Sequence, residues 1–189
     1  MNAILTGKTI VLGVSGGIAA YKSADLASRL AQAGADVFVV MTANACKFVQ
    51  PLTFQALTGH PVGLDQFDAA TWNGMEHIAL AERADLALIA PATANTIAKL
   101  AAGMADDLLS TTVLATRAPI LIAPAMNTSM LEHPATQLNL ARLRELGYHL
   151  IEPETGRMAC GTIGSGRLPT TDVIIERSEE RRVGKECRR

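Results

Sequence analysis

Residues 9–22 read TIVLGVSGGIAAYK, and this stretch decides the fold. The run from Thr9 to Val14 is short, apolar and followed closely by glycines, which is typical of a buried strand. A helix is predicted directly after it over residues 17–33, with Gly34 as its C-cap. A buried strand that turns this sharply into a helix is how a βαβ unit begins.

The same alternation of strand and helix continues along the chain. Further helices are predicted over residues 51–57, 96–102, 106–116 and 135–146. Further strands are predicted over residues 37–41, 86–90, 120–123 and 149–151, with Pro91 and Pro124 ending two of them. Short connections between alternating elements give right-handed crossovers and a parallel sheet. The sequence therefore predicts an α/β fold, a three-layer Rossmann-like (flavodoxin-like) parallel sheet with helices on both faces.

The bulk composition narrows the class of protein. The chain has 189 residues, enough for one α/β domain with a proper core. Hydrophobic residues make up 49%, largely through alanine, and no run reaches the roughly 18 apolar residues of a membrane span. Surplus apolar surface on a small domain is often buried between subunits, so we expect a homo-oligomer and no membrane partner.

The N-terminus and the cysteines point to one compartment. Residues 1–8 lack the pattern of a secretory signal. The three cysteines, Cys46, Cys160 and Cys187, cannot form a disulfide framework with none left over, and their spacing fits no zinc site. We therefore expect a cytoplasmic protein without a metal ion.

The C-terminal residues differ in composition from the rest. Residues 177–189 hold six of the 17 basic residues and three of the 18 acidic ones, which leaves 11 basic and 15 acidic residues, a net charge of −4, in the body. An acidic body does not favour nucleic-acid binding. We expect one domain over residues 1–176 and a basic tail over 177–189 that is non-native or disordered.

Unusual residues follow the predicted strands, where parallel sheets bind their ligands. Ser15-Gly16-Gly17 fits neither the Walker pattern nor G-x-G-x-x-G. It is compatible with a tight strand–helix turn and equally with a backbone cradle for an anion. The residues alone leave both readings open.

Two further strand ends are rich in small and polar residues. Pro91 to Thr96 (PATANT) could line a flat ring, or its hydroxyl and amide groups could only cap a helix. In Pro124-Ala125-Met126-Asn127, the asparagine could hold a carboxylate, or again cap a helix. Turn-rich residues 58–74 are predicted to form a mobile loop.

His77 and Cys160 are candidates for chemistry, each with an ordinary alternative. A lone histidine such as His77 is more often structural or exposed. Cys160 lies in a segment, residues 156–167, with four glycines and two arginines. Such a segment cannot be a stable helix or central strand, so we expect a mobile loop whose arginines suit phosphate or carboxylate. A disordered linker is the alternative.

Together these motifs resemble the homo-oligomeric flavin-containing cysteine decarboxylases. The resemblance covers about residues 8–168 and rests on SGGIAAYK, His77-Ile78, PATANTIAKLAAGMADDLL, PAMN and the Cys160 segment. One departure is Leu131, where the family often has an aromatic residue.

The resemblance implies a role for each matching residue. His77 would be the active-site base and Cys160 a proton donor. Asn127, Met126, Ala159 and Gly161 would bind substrate. The residues that would hold FMN are Ser15, Gly16, Gly17, Ile18, Thr42, Ala92, Thr93, Asn95 and Thr96.

The implied reaction is the FMN-dependent decarboxylation of 4′-phosphopantothenoylcysteine to 4′-phosphopantetheine in coenzyme A biosynthesis. The cysteine moiety is oxidised to a thioaldehyde, CO₂ leaves, and the resulting ene-thiol is reduced while Cys160 supplies a proton. Alternatives on the same fold are a flavin prenyltransferase-like protein, a peptide-cysteine decarboxylase, and a regulatory flavoprotein subunit without enzyme activity.

The resemblance also implies partners. The substrate would be a small-molecule thiol, and the assembly a homotrimer or a dodecamer built of trimers. In many bacteria the family member is joined to a phosphopantothenate–cysteine ligase domain, which this sequence does not contain.

Overall fold

The structure is a computed structural model that describes residues 5–67, 76–159 and 161–186. Its main strands are β1 (Thr9–Val14), β2 (Asp36–Met41), β3 (Leu86–Ala92), β4 (Ile120–Pro124) and β5 (His149–Leu150). They form one sheet in the order β2-β1-β3-β4-β5, and every pairing is parallel. This is the flavodoxin-like strand order, which confirms the predicted fold class.

Helices cover both faces of this sheet. They are α1 (Lys22–Gln32), α2 (Pro51–Thr58), α3 (Glu76–Arg83), α4 (Ala94–Ala101), α5 (Leu108–Ala115), α6 (Thr128–Glu132), α7 (Pro134–Glu145) and α8 (Thr171–Glu186). One hydrophobic core joins α1, α2 and α8 to the sheet, with Leu26, Phe54 and Ile174 fully buried. A second core joins α3, α4, α5 and α7 to the opposite face. The two cores give the predicted three layers.

The prediction that Pro91 ends its strand is wrong. Strand β3 continues to Ala92, across a cis bond between Ala90 and Pro91. A proline lacks the N–H group but keeps its carbonyl, and the Pro91 carbonyl accepts a hydrogen bond from the Ser15 nitrogen at 3.2 Å. Strand β4 likewise includes Pro124, which pairs with Ala92. Strand β3 therefore extends two residues and strand β4 one residue further than predicted, and the register of their pairing shifts between Ile89 and Ala92.

The glycine-rich segment is a hairpin rather than the loop we expected. Strands β6 (Glu154–Arg157) and β7 (Ile163–Arg167) pair antiparallel in a separate two-stranded sheet. Its glycines allow close approach: a Cβ on Gly164 would lie 2.3 Å from Thr128 Oγ1, and one on Gly166 would lie 2.2 Å from the Met126 carbonyl oxygen. Glycine in a strand often marks such contact, so composition alone misled the prediction.

Residues that were expected to form a disordered tail continue a helix. Helix α8 runs from Thr171 to Glu186, and Ser178 is fully buried, its hydroxyl donating to the Ile174 carbonyl at 2.8 Å. The composition break at residue 177 therefore does not coincide with the end of the helix. Of the predicted loop over residues 58–74, the last seven residues lie outside the described part. The domain boundary stays a prediction.

Within the described ranges, no helix has both the length and the apolar character to cross a membrane.

Candidate functional site

The strand order creates a crevice at one end of the sheet. Strands β1 and β3 are neighbours, but the chain leaves them toward opposite edges, and ligands bind at such switch points. A cleft of about 1070 Å³ opens there. It is lined by the residues after β1 (Gly16, Gly17, Ile18), after β2 (Thr42 to Asn44), after β3 (Thr93 to Thr96) and after β4 (Ala125 to Asn127), and by the hairpin. Most of the predicted site residues therefore meet in one place.

The glycine turn after β1 is packed against the turn after β2. A Cβ on Gly16 would lie 2.3 Å from Asn44 Cβ and 2.6 Å from the Asn44 carbonyl carbon. Because backbone cannot move aside as a flexible side chain can, position 16 requires glycine. Gly17 is less confined, its nearest neighbour being a Thr93 methyl group at 3.3 Å. Both glycines line the cleft.

Ser15 lies beneath the cleft instead of lining it. Its side chain is buried, and its hydroxyl lies 2.7 Å from the Pro91 carbonyl oxygen and 2.9 Å from the Thr93 nitrogen. The hydroxyl donates to the first and accepts from the second. Ser15 thus ties the end of β1 to the end of β3, and any contact it makes with a ligand would go through its backbone.

Some residues at and after the end of β3 stabilise the backbone, and others are exposed in the cleft. Ala92 is buried, and its carbonyl accepts from the Ala125 nitrogen at 3.0 Å. Thr93 is the N-cap of α4 and accepts from the Thr96 nitrogen at 3.4 Å, while the two hydroxyls are 3.2 Å apart. Asn95 is exposed and faces the cleft. The capping alternative therefore holds for Thr93, which also lines the cleft.

The opposite wall is built from the residues after β4 and the hairpin docked on them. Met126 is buried, and its nitrogen donates to the Gly166 carbonyl at 2.9 Å. Asn127 is the N-cap of α6, with its Oδ1 accepting from the Ser129 nitrogen at 2.9 Å. Capping fixes the orientation of this amide at the edge of the cleft. Ala159 lines the cleft as well.

A lysine that pairs with two aspartates was not predicted from the sequence, although Lys99 and Asp107 line the cleft. Lys99 lies 2.8 Å from an Asp106 oxygen and 2.9 Å from Asp107 Oδ2, and these hydrogen bonds raise the pKa of Lys99. Partial burial of Asp107 acts to raise its pKa, but hydrogen bonds from Ser110 and Lys99 outweigh burial and hold the pKa below the ordinary value. The signal was the lysine-to-aspartate spacing within AKLAAGMADD.

Other cleft residues were also absent from the predicted set. They include Tyr21, Lys22, Met130, Arg157, Met158 and Arg167. The two arginines of the glycine-rich segment are evident from the sequence. Because that segment was predicted to be a loop, the position of their side chains relative to the cleft could not be predicted.

Of the two predicted chemical residues, only His77 belongs to the described part of the chain. Among the described residues His77 does not line the cleft; it lies at the start of α3, half-buried, and its Nδ1 is buried with no hydrogen-bond partner in the described part of the chain. Cys160 lies outside the described residues. Gly161, the next residue, is exposed and has a φ of +90°. It is not among the described residues that line the cleft.

The sequence is similar to a known protein family and to curated proteins. The family described as Flavoprotein matches residues 2–182. The coenzyme A biosynthesis bifunctional protein CoaBC of Bacillus subtilis (strain 168) is 51% identical over 177 residues, which are 94% of this chain and 44% of that protein. The chain thus spans less than half the length of this curated relative.

Solved structures of other proteins match the fold of this chain over nearly its whole length. A PPC decarboxylase mutant complexed with pantothenoylaminoethenethiol is 33% identical with a TM-score of 0.82, over 95% of this chain and 98% of that one. The FMN-dependent cysteine decarboxylase SpaF is 35% identical with a TM-score of 0.78, over 92% and 99% of the two chains. The chain therefore belongs to the flavoprotein family, together with PPC decarboxylase.

Proposed function

We propose that this chain is a phosphopantothenoylcysteine decarboxylase that uses FMN to convert 4′-phosphopantothenoylcysteine to 4′-phosphopantetheine. The observation that carries the proposal is the cleft of about 1070 Å³ at the switch point between β1 and β3. One wall is a glycine turn with polar strand ends, and the other presents Asn127 and the hairpin. A cleft of this size has room for more than one small molecule.

The glycine-turn wall fits FMN. Gly16 and Gly17 line the cleft directly after β1, where backbone N–H groups can reach a phosphate, as in other anion-binding turns. Gly17, Ile18, Thr42, Thr93, Asn95 and Thr96 line the same wall, with Ser15 and Ala92 supporting it. When bound, FMN would supply the two-electron oxidation of the substrate and the later return of those electrons. SpaF is described as FMN-dependent, which supports the assignment.

The opposite wall fits the reacting end of the substrate. Asn127, oriented by its cap on α6, would hold the carboxylate, and Met126 and Ala159 would pack beside it with Gly161 nearby. Once the thiol-bearing carbon is oxidised, the carboxylate lies β to a C=S group and CO₂ leaves readily. Cys160 would then give a proton to the ene-thiol as the electrons return. The PPC decarboxylase mutant was complexed with pantothenoylaminoethenethiol, which is an ene-thiol, and this supports an ene-thiol in the reaction.

His77 would act as the base across a subunit boundary. It lies away from the cleft of its own chain, yet its Nδ1 is buried without a partner in the described part. Exposed apolar side chains lie on the same helix and on segments packed near it. Ile78 follows His77 on α3, and Leu114 is on α5, which packs against α3. Phe67, 82% exposed, follows Gln66, which accepts a hydrogen bond from Thr111 of α5. A symmetric oligomer, a homotrimer or a dodecamer of trimers, would bury this surface and bring His77 to a neighbouring cleft.

The CoaBC relative is bifunctional, so the activity proposed here would be one of two in a longer protein, with a ligase domain beyond this sequence. A reducing cytoplasm would keep Cys160 as a thiol. The proposal is tested by adding FMN and 4′-phosphopantothenoylcysteine to purified protein and measuring CO₂. Bound flavin and CO₂ release are expected; a protein that binds flavin but releases no CO₂ would contradict the assignment.

A further inference from the structure

The charges that line the cleft are unbalanced. Among the described residues, the lining includes four cationic side chains, Lys22, Lys99, Arg157 and Arg167, against the single carboxylate of Asp107. Lys99 is already neutralised by Asp106 and Asp107. The side chains of the other three cations have no ion-pair partner in the described part of the chain. The cleft is therefore built to receive more than one negative group.

The three unpaired cations lie on two different walls. Lys22 begins α1, directly after the short turn of helix at Ile18–Tyr21 that follows the glycines. Arg157 ends β6 and Arg167 ends β7, so both belong to the hairpin. The glycine turn has its own cation, and two guanidinium groups remain on the hairpin.

The hairpin holds its arginines on the Asn127 wall. The Met126 nitrogen donates to the Gly166 carbonyl at 2.9 Å, and the Thr128 hydroxyl donates to the Ser165 carbonyl at 2.7 Å. These bonds flank Asn127 and fix β7 beside it.

The side chain of Arg167 packs against Gly156 of the neighbouring strand. A Cβ on Gly156 would lie 2.3 Å from Arg167 Nη1 and 3.2 Å from its Cζ, so the guanidinium lies across the Gly156 backbone, next to Arg157 in the chain. Glycine at position 156 thus makes room for Arg167.

We propose that Arg157 and Arg167 form the subsite for the phosphate of the substrate and set its preference for phosphorylated over unphosphorylated ligands. The inference rests on the proposed function, because it takes 4′-phosphopantothenoylcysteine as the substrate. That molecule carries a carboxylate at its reacting end and a phosphate at the other. Asn127 accounts for the first, and two planar guanidinium groups, each with a fork of donors, match the oxygens of the second.

The experiment compares ligands that differ only in the phosphate. Arg157→Gln, Arg167→Gln and the double variant are assayed with 4′-phosphopantothenoylcysteine and with pantothenoylcysteine. Each single change should lower kcat/KM for the phosphorylated substrate by roughly tenfold or more, the usual scale for a charged hydrogen bond, and leave the unphosphorylated substrate nearly unaffected. Arg142→Gln is the matched control, since Arg142 is an exposed arginine of α7 paired with Glu145.

A binding measurement separates phosphate from carboxylate. The products 4′-phosphopantetheine and pantetheine lack the carboxylate, so the variants should weaken only the first of them as an inhibitor. Equal losses for phosphorylated and unphosphorylated ligands, or a loss of bound FMN, would overturn the inference. Failure of the proposed function is distinct, because the unmodified protein would then release CO₂ from neither substrate.

Discussion

The Ser15 hydroxyl accepts a hydrogen bond from the Thr93 nitrogen at 2.9 Å and donates to the Pro91 carbonyl at 2.7 Å. This one side chain joins the two strand ends between which the cleft opens. The two strand ends are therefore held together by a side chain that does not itself line the cleft.

Replacing Ser15 by alanine should weaken both the fold and the flavin site. Ser15→Ala leaves the Pro91 carbonyl and the Thr93 nitrogen without this partner, which should cost about 1–3 kcal/mol in the free energy of unfolding and raise the Kd for FMN. Ser23→Ala is the control, because the Ser23 hydroxyl is also buried and donates to a β3 carbonyl, that of Ala90, at 2.7 Å. Urea unfolding and flavin titration measure both effects. Equal Kd values for FMN in the two variants would contradict the role given to Ser15.

Replacing Gly166 by alanine should separate the hairpin from the substrate wall. Gly166 has φ +119°, and a Cβ there would lie 2.2 Å from the Met126 carbonyl oxygen. Gly147→Ala is matched for backbone strain, since Gly147 has φ +86° but nothing within 4 Å of its Cβ. Both should lose about 1–2 kcal/mol of stability from the strained backbone. Only Gly166→Ala should also lose most of its kcat/KM at saturating FMN. Retained turnover in that variant would show that the hairpin contact is dispensable.

Asp107 should make a pH-dependent contribution to stability through helix α5. Its carboxylate accepts from the Ser110 nitrogen at 2.8 Å as the N-cap, so Asp107→Ala should cost about 1 kcal/mol. Because the pKa of Asp107 is below its ordinary value of 3.8 in the folded protein, this stabilisation is present above that value. It is lost as the pH falls through the lower, folded pKa.

Urea unfolding at neutral and acidic pH checks this dependence. Asp106→Ala is the control, because Asp106 also pairs with Lys99 but does not cap the helix. A difference between Asp107→Ala and the unmodified protein that does not shrink as the pH falls below 3.8 would contradict the assignment.

His77 and Asn127 should complement each other between subunits. His77→Asn and Asn127→Ala should each bind FMN and release little CO₂. If His77 acts in a neighbouring cleft, mixed oligomers of the two variants contain some clefts with both residues intact, and CO₂ release should return on co-refolding or co-expression. Light scattering confirms the assembly. Inactive mixed oligomers, or full activity in a monomer, would place the base within its own chain.

The sequence was informative where local rules decide the outcome. Short apolar runs located the five strands of the main sheet, and the strand ends gave Gly16, Gly17, Thr93 and Asn127 as cleft residues. The part of the cleft that the strand ends build follows from the fold class alone, because parallel strands end at one edge of the sheet.

What the sequence could not give depends on contacts between distant segments. The glycines of the 156–167 segment indicate flexibility only until their neighbours are known. Gly156, Gly164 and Gly166 each face an atom of another residue, and these contacts make a hairpin of the predicted loop. The pairing of Lys99 with Asp107 and the buried position of Ser15 also arise from packing, which no local pattern records.

The central claim is tested most directly by the mass of the product that purified, FMN-loaded protein forms from 4′-phosphopantothenoylcysteine. We predict loss of CO₂ and formation of saturated 4′-phosphopantetheine, while Cys160→Ser should stop at the ene-thiol, which is lighter by two hydrogens. Unsaturated product from the unmodified protein would indicate a decarboxylase of the peptide-cysteine type. Substrate recovered unchanged, with flavin bound, would contradict the account and favour a prenyltransferase-like or regulatory flavoprotein.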